Sequence, residues 1–288
     1  MDTVANVRID TGPPPGQVYY RHRLVTRLCH WINALSLLFL VMTGLNIFDA
    51  HPALYWGKYG ANPDHQSRWF EIGAMDAPGG AIRGVTRIGP VMIDTSGVLG
   101  TQVEPDGSVI DQGFPDWVTF PHNRDLATAR RWHFFFAWLF ILSGLVYFVH
   151  GFATRHLQDE VWPRLKQLRP ANLWHDIVIH ARLTFPRGAA DREYQVLQRL
   201  AYAGVVFVLL PLMVLTGLSL SPGFNAALNG FLPSLFGGRA SARSIHFIVM
   251  DLLIAFTAVH LLMVVLAGPY NQVRSMITGR YDTGEEPE

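Results

Sequence analysis

The sequence predicts an all-α integral membrane protein, a four-transmembrane-helix bundle with a small irregular insertion between the first and second helices. Three observations carry that class. Half of the 288 residues are apolar and only 16% are charged, with mean hydropathy +0.20, which is too greasy for an ordinary soluble enzyme. Four stretches, 28–48, 132–152, 200–220 and 245–267, run 21, 21, 21 and 23 residues with Asp251 as their sole charge, and about 20 residues of helix cross a bilayer. Each opens just after an arginine: Arg27, Arg131, Arg199 or Arg243.

Taken in order, residues 1–23 form an N-terminal arm carrying Arg8, Arg21 and Arg23. The first span, about 24–48, starts too late and runs too long for the apolar region of a cleaved signal peptide, so it is expected to stay in the chain. The insertion, 49–130, holds ten acids against six Lys or Arg. Its Gly and Pro content predicts a small irregular cap with a little strand, including a hairpin through Pro105, Asp106 and Gly107. The second span covers about 131–152. After it come Arg155, Arg164, Lys166, Arg169, Arg182, Arg187, Arg192 and Arg199, and a stretch, 171–183, that reads as an interfacial amphipathic helix with Leu173, Ile177 and His180 at helical spacing. The third span, about 199–220, contains Pro211; the fourth covers about 244–267. The tail, 268–288, ends in Glu285, Glu286, Pro287 and Glu288 and is expected to fray. No internal repeat is evident. The four spans, with the insertion between the first two, make one membrane domain, 24–267.

Lys and Arg near span ends set orientation. The arm and the second connection are basic and belong in the cytoplasm with both termini. The insertion, and the third-to-fourth loop with only Arg239 and Arg243 as charges, belong outside. A formal charge of +1 gives no reason to expect a nucleic-acid partner. The single cysteine, Cys29, excludes an intrachain disulfide framework, a Cys-rich zinc site, an iron–sulfur cluster and a C-x-x-C-H haem attachment. Any redox centre must be held by other ligands.

Of twelve histidines, His30, His133, His150, His246 and His260 lie in or at the edge of the spans. An imidazole in hydrocarbon needs a reason, although a hydrogen bond across helices would be one. His246 and His260 are 14 residues apart on the fourth span, which returns to the same face within ~40° after roughly 21 Å of rise. With the orientation above, depth pairs His133 with His246 on the outer side and His30 with His260 on the inner side. Two stacked imidazole pairs are the geometry that holds two six-coordinate b-type haems. Zinc would want three or four converging ligands, and each level offers two.

Gly44 and Gly144 would let a flat macrocycle approach, but helix packing uses the same residue. Arg27, Arg131 and Arg243 precede the histidines by two or three residues, where haem propionates would emerge; snorkelling at helix ends is the alternative. His150 stands ~100° from the face of His133 and is placed off the haem seam. His51, His65, His122, His156, His175 and His180 read as loop or surface residues.

These residues resemble the bacterial cytochrome b561 and nickel-iron hydrogenase b-type cytochrome family. The resemblance is carried by RLCHWINALSLLFLVMTG, by ARRWHFFFAWLFILSG, by LPLMVLTGLSLSP, and by SARSIHF with AVH fourteen residues on. It implies a bacterial inner-membrane core with two b haems on His30, His133, His246 and His260, passing electrons between the quinone pool and a peripheral redox subunit. The long insertion resembles the thiosulfate-reductase cytochrome b branch, whose members resemble membrane anchors for a periplasmic oxidoreductase, often a molybdopterin protein. Trp56, Trp69, Phe70 and Trp117 are candidate anchors for such a partner. YQVLQ, with Gln195 and Gln198, resembles the family's quinone-contacting segment; the alternative is a pair of interfacial polar residues. Asp251 departs from the family pattern and faces away from the haem seam. The chain then reads as an electron-transfer subunit rather than a stand-alone enzyme, the alternatives being a non-redox membrane anchor or a transporter.

Overall fold

The structure, a computed structural model, describes residues 18–58, 68–163, 167–181 and 196–282. The chain divides into two compact units, one of His30–Val146 with Val205–Ala255, the other of Met1–Cys29, Tyr147–Gly204 and Phe256–Glu288. Four helical stretches contribute residues to both: Leu24–Asp49, Leu126–Ala153, Val196–Leu220 and Arg239–Leu266. They are apolar on every side, yet at most 28% of any of their apolar windows is buried within the protein. Exposed Leu35, Leu38, Leu142, Leu145, Leu252, Leu262 and Val265 make sense only where lipid replaces water. The chain is a multi-pass membrane protein.

Strand β1 (Val18–Tyr20) leads into α1 (Leu24–Asp49). The insertion follows, and it holds more sheet than its sequence announces. Strands β2 (Ala53–Tyr55), β3 (Arg68–Asp76), β4 (Ile82–Ile88) and β5 (Val91–Asp94) form one antiparallel sheet in that order, and β6 (Gly100–Val103) pairs with β7 (Val109–Gln112). The expected hairpin is there: Asp106 Oδ1 accepts the Ser108 N–H at 2.9 Å and Gly107 adopts φ +84°, as a turn of this kind requires. Two glycines let the sheets touch. A Cβ on Gly84 would stand 2.0 Å from the Leu99 carbonyl oxygen, and one on Gly100 2.5 Å from that of Gly73.

The insertion is fastened to the helix ends. Phe48, Leu54 and Ile72 form a buried core with Phe70, Phe114 and Phe247 packed against it. Asp49 Oδ1 accepts the Phe114 N–H at 2.8 Å, and the Asn46 amide donates to the Pro121 and Asn123 carbonyls at 2.9 and 2.7 Å. Ser244 donates to the Tyr55 carbonyl at 2.6 Å and accepts the Trp69 indole N–H at 3.0 Å. Asp125 then caps α2 (Leu126–Ala153), accepting the Thr128 N–H at 3.0 Å. Hydrogen bonds from the Thr128 side chain and backbone hold its carboxyl below the usual carboxylate range.

In the other unit, α3 (Pro170–Ala181) is the expected amphipathic helix, with Trp174 and Ile177 exposed and Asp176 buried. Asp176 Oδ2 accepts the Leu197 N–H at 3.4 Å, at the start of α4 (Val196–Gly204). The third span is not one regular helix: a π turn, Val205–Leu209, separates α4 from α5 (Leu210–Leu220). Pro211 has no N–H to return to the preceding turn, and a widened turn is one way to absorb that loss. Two short helices, α6 (Pro222–Ala227) and α7 (Phe231–Leu235), precede α8 (Arg239–Leu266).

The tail does not fray where expected. Residues Pro269–Thr278 form α9, and β8 (Arg280–Asp282) pairs antiparallel with β1. Pro269 starts the helix, Gly279 at φ +83° ends it, and Asn271 bonds the Asp282 backbone in both directions at 2.7 and 3.1 Å. Proline at the start and glycine just past the end are the ordinary punctuation of a stable short helix. The arm 1–17, His65, Arg164, Lys166, Arg182, Arg187, Arg192 and the last six residues, 283–288, lie outside the described residues.

Candidate functional site

Within the first unit, α1, α2, α5 and α8 line a cavity of about 460 Å³, in the range of ligand sites, about 300–1,000 Å³. Leu37, Val41, Ala137, Ile141, Val214 and Met250 make its wall apolar. His133 from α2 and His246 from α8 enter it from opposite helices, their ring centres 6.4 Å apart and their planes at 60°. Two imidazole nitrogens, each about 2 Å from a shared metal and about 1 Å from their ring centres, would put opposed rings roughly 6 Å apart. The observed spacing therefore fits an iron between them. Among the described residues no three of His, Cys, Asp and Glu gather as a metal site. Two protein nitrogens in an apolar slot suit a macrocycle that brings its own four.

Each imidazole is backed by a threonine and a glycine from a neighbouring helix. Thr43 Oγ1 on α1 is 2.9 Å from His133 Nδ1, and Thr216 Oγ1 on α5 is 2.9 Å from His246 Nδ1. A Cβ on Gly44 would stand 3.5 Å from His133 Cε1, and one on Gly217 3.3 Å from His246 Cε1. The two supports are copies: VMTGL, 41–45, and VLTGL, 214–218. The sequence does carry an internal repeat, too short for its periodicity to announce, and it was the signal available for Thr43 and Thr216.

Positive charge gathers on the same cavity. Arg243 lines it, and its guanidinium donates to the Ala53 and His51 carbonyls at 3.1 and 2.6 Å while lying over the Phe48 ring. Lys58 and Arg239 line it too, and so does Tyr55. Sequence spacing missed these three, because Tyr55 and Lys58 come from the insertion. Arg131 is elsewhere: it is exposed, donates to Thr128 Oγ1 at 3.0 Å, and is not among the cavity residues. Two residues before His133 is ~200° around the helix, the wrong side for a shared ligand.

The remaining candidates are placed one by one. His30 packs edge-on against Trp31, ring centres 5.2 Å apart. His260, in the other unit, stacks on Phe256 at 6.0 Å. Arg27 donates to the Ile277 carbonyl. His150 Nε2 is buried with no hydrogen-bond partner among the described residues. Gln198 is half-buried on α4, and Gln195 lies outside the described residues. Gly144 has open space around it, whereas a Cβ on Gly44 would meet the His133 ring.

Residues 21–279 match the family described as prokaryotic cytochrome b561. A protein of Azospira oryzae named as a candidate protein-methionine-sulfoxide reductase subunit, YedZ1, is 25% identical over 253 residues, covering 87% of this chain and 92% of its own. No solved structure matches.

Proposed function

The chain belongs to the prokaryotic cytochrome b561 family, and from that premise we propose that it is the membrane electron-transfer subunit of an oxidoreductase, with two b-type haems. The observation that carries this is the His133–His246 pair, 6.4 Å apart in an apolar cavity edged by Lys58, Arg239 and Arg243. His133 and His246 would hold a haem there, and the group would supply one-electron transfer. The chain's own residues do the rest. The two histidines would hold the iron, the apolar walls would exclude water, and the three cations would hold propionates. The second haem is assigned to His30 and His260 from the fourteen-residue spacing on α8 and from depth in the sequence.

The basic arm and second connection support cytoplasmic termini in a bacterial inner membrane and a periplasmic insertion. The insertion is then the docking face for a periplasmic redox partner. Trp56 and Trp117 remain exposed there for contact, whereas Trp69 and Phe70 are committed to the core. The relative's name points to a protein-methionine-sulfoxide reductase as the partner class, and the family resemblance points to a molybdopterin oxidoreductase. Quinone would exchange electrons near the start of α4, with Gln198 and Gln195 as hydrogen-bond donors to its carbonyls.

Haem content tests the assignment. A pyridine haemochrome assay of the purified chain should find two haems, falling to one in His133→Ala or His246→Ala, and to one in His30→Ala or His260→Ala. Full retention in His133→Ala overturns the cavity as a haem site. One haem in the unaltered chain removes the second site, and loss on changing His150 rather than His30 reassigns its ligand.

A further inference from the structure

The two threonines do more than fill space, because a hydroxyl has one hydrogen to give. Thr43 Oγ1 is 2.6 Å from the Phe39 carbonyl four residues back, and Thr216 Oγ1 is 2.7 Å from that of Leu212. Helical threonines donate along that path, and the donation uses their hydrogen. Toward His133 and His246, each at 2.9 Å, the same oxygen can only accept. The ring hydrogen must therefore sit on Nδ1, and a neutral imidazole protonated at Nδ1 keeps its lone pair on Nε2.

We infer that Thr43 and Thr216 are positioning residues that lock both imidazoles in the tautomer able to ligate iron through Nε2, and that they tune the haem's potential. This rests on the haem reading above. An acceptor on Nδ1–H makes the ring a stronger donor, and a stronger donor favours the more highly charged ferric iron. Removing the acceptor therefore raises the midpoint potential. Valine has the shape of threonine without the hydroxyl, while serine keeps the hydroxyl and drops the methyl. The two substitutions separate chemistry from packing.

The test uses the full chain in detergent or membranes, with Thr43→Val, Thr43→Ser, Thr216→Val and Thr216→Ser read by haem content, redox titration and electron paramagnetic resonance. The serine variants should titrate like the parent. The valine variants should shift upward the potential of the haem that His133→Ala removes; a tenfold loss of ferric preference is about 59 mV for a one-electron couple. Haem loss in the valine variants with full retention in the serine variants also supports the hydroxyl's role. Unchanged potential and resonance in both valine variants, or equal haem loss with valine and serine, overturns it. Failure of the underlying reading shows separately: His133→Ala would then bind as much haem as the parent.

Discussion

Gly44 and Gly217 hold matching places behind the two imidazoles but have unequal room. A Cβ at Gly44 would meet His133 Cε1 at 3.5 Å, ordinary contact, while one at Gly217 would meet His246 Cε1 at 3.3 Å and force the ring to give. Gly44→Ala should therefore keep its haem with an unchanged resonance spectrum, and Gly217→Ala should keep haem with altered g values as His246 turns. If the alanine at 44 perturbs the spectrum more than the one at 217, the supports are misplaced. His133 and His246 stand out in the sequence because an imidazole at membrane depth is costly. Thr43, Thr216 and Gly217 were not, because small neutral residues cost nothing in a helix that faces other helices. Arg243 and Arg131 both look like propionate partners by sequence distance. Three residues back from His246 is ~60° off its face and two back from His133 is ~160° off, so only the first reaches the cavity.

At the scale of elements, the four apolar stretches announce their helices by length and absence of charge, and the structure starts each four to six residues earlier and ends each within one residue of its stretch. The break in the third was only half legible. Pro211 marks it, but the π turn at Val205–Leu209 lies upstream and has no residue signature of its own. The insertion's sheet was under-read because β3, RWFEIGAMD, and β4, IRGVTRI, carry glycines inside the strand and break strict alternation. Gly73, Gly84 and Gly100 look like loop residues and are the points where two sheets touch. The β6–β7 tip gives a clean test of which side the insertion faces. Asp106 is exposed at that tip, and the native thiol of Cys29 is buried. Asp106→Cys should react with a membrane-impermeant maleimide in intact spheroplasts. Labelling only after lysis would put the insertion in the cytoplasm and invert the topology.

For the molecule as a whole, the question is why one chain should carry histidines at two depths of one helix. His246 and His260 lie on the unbroken α8, fourteen residues and roughly 21 Å apart along its axis. That is most of a hydrocarbon core about 30 Å thick. A single haem would serve a partner on one surface only. On the proposed reading, two haems joined through one helix would let electrons cross between a partner on the insertion's side and quinone on the other. If this is the route, the haem at His30 and His260 is the entry for quinol electrons, and the haem at His133 and His246 receives them second. In His260→Ala the remaining haem should still be reduced by dithionite, while its reduction by a short-chain quinol should slow by at least tenfold. A variant that lost one haem yet accepted quinol electrons at the parental rate would place quinone exchange beside His133 and His246. The protons released on quinol oxidation would then leave on the side of the insertion.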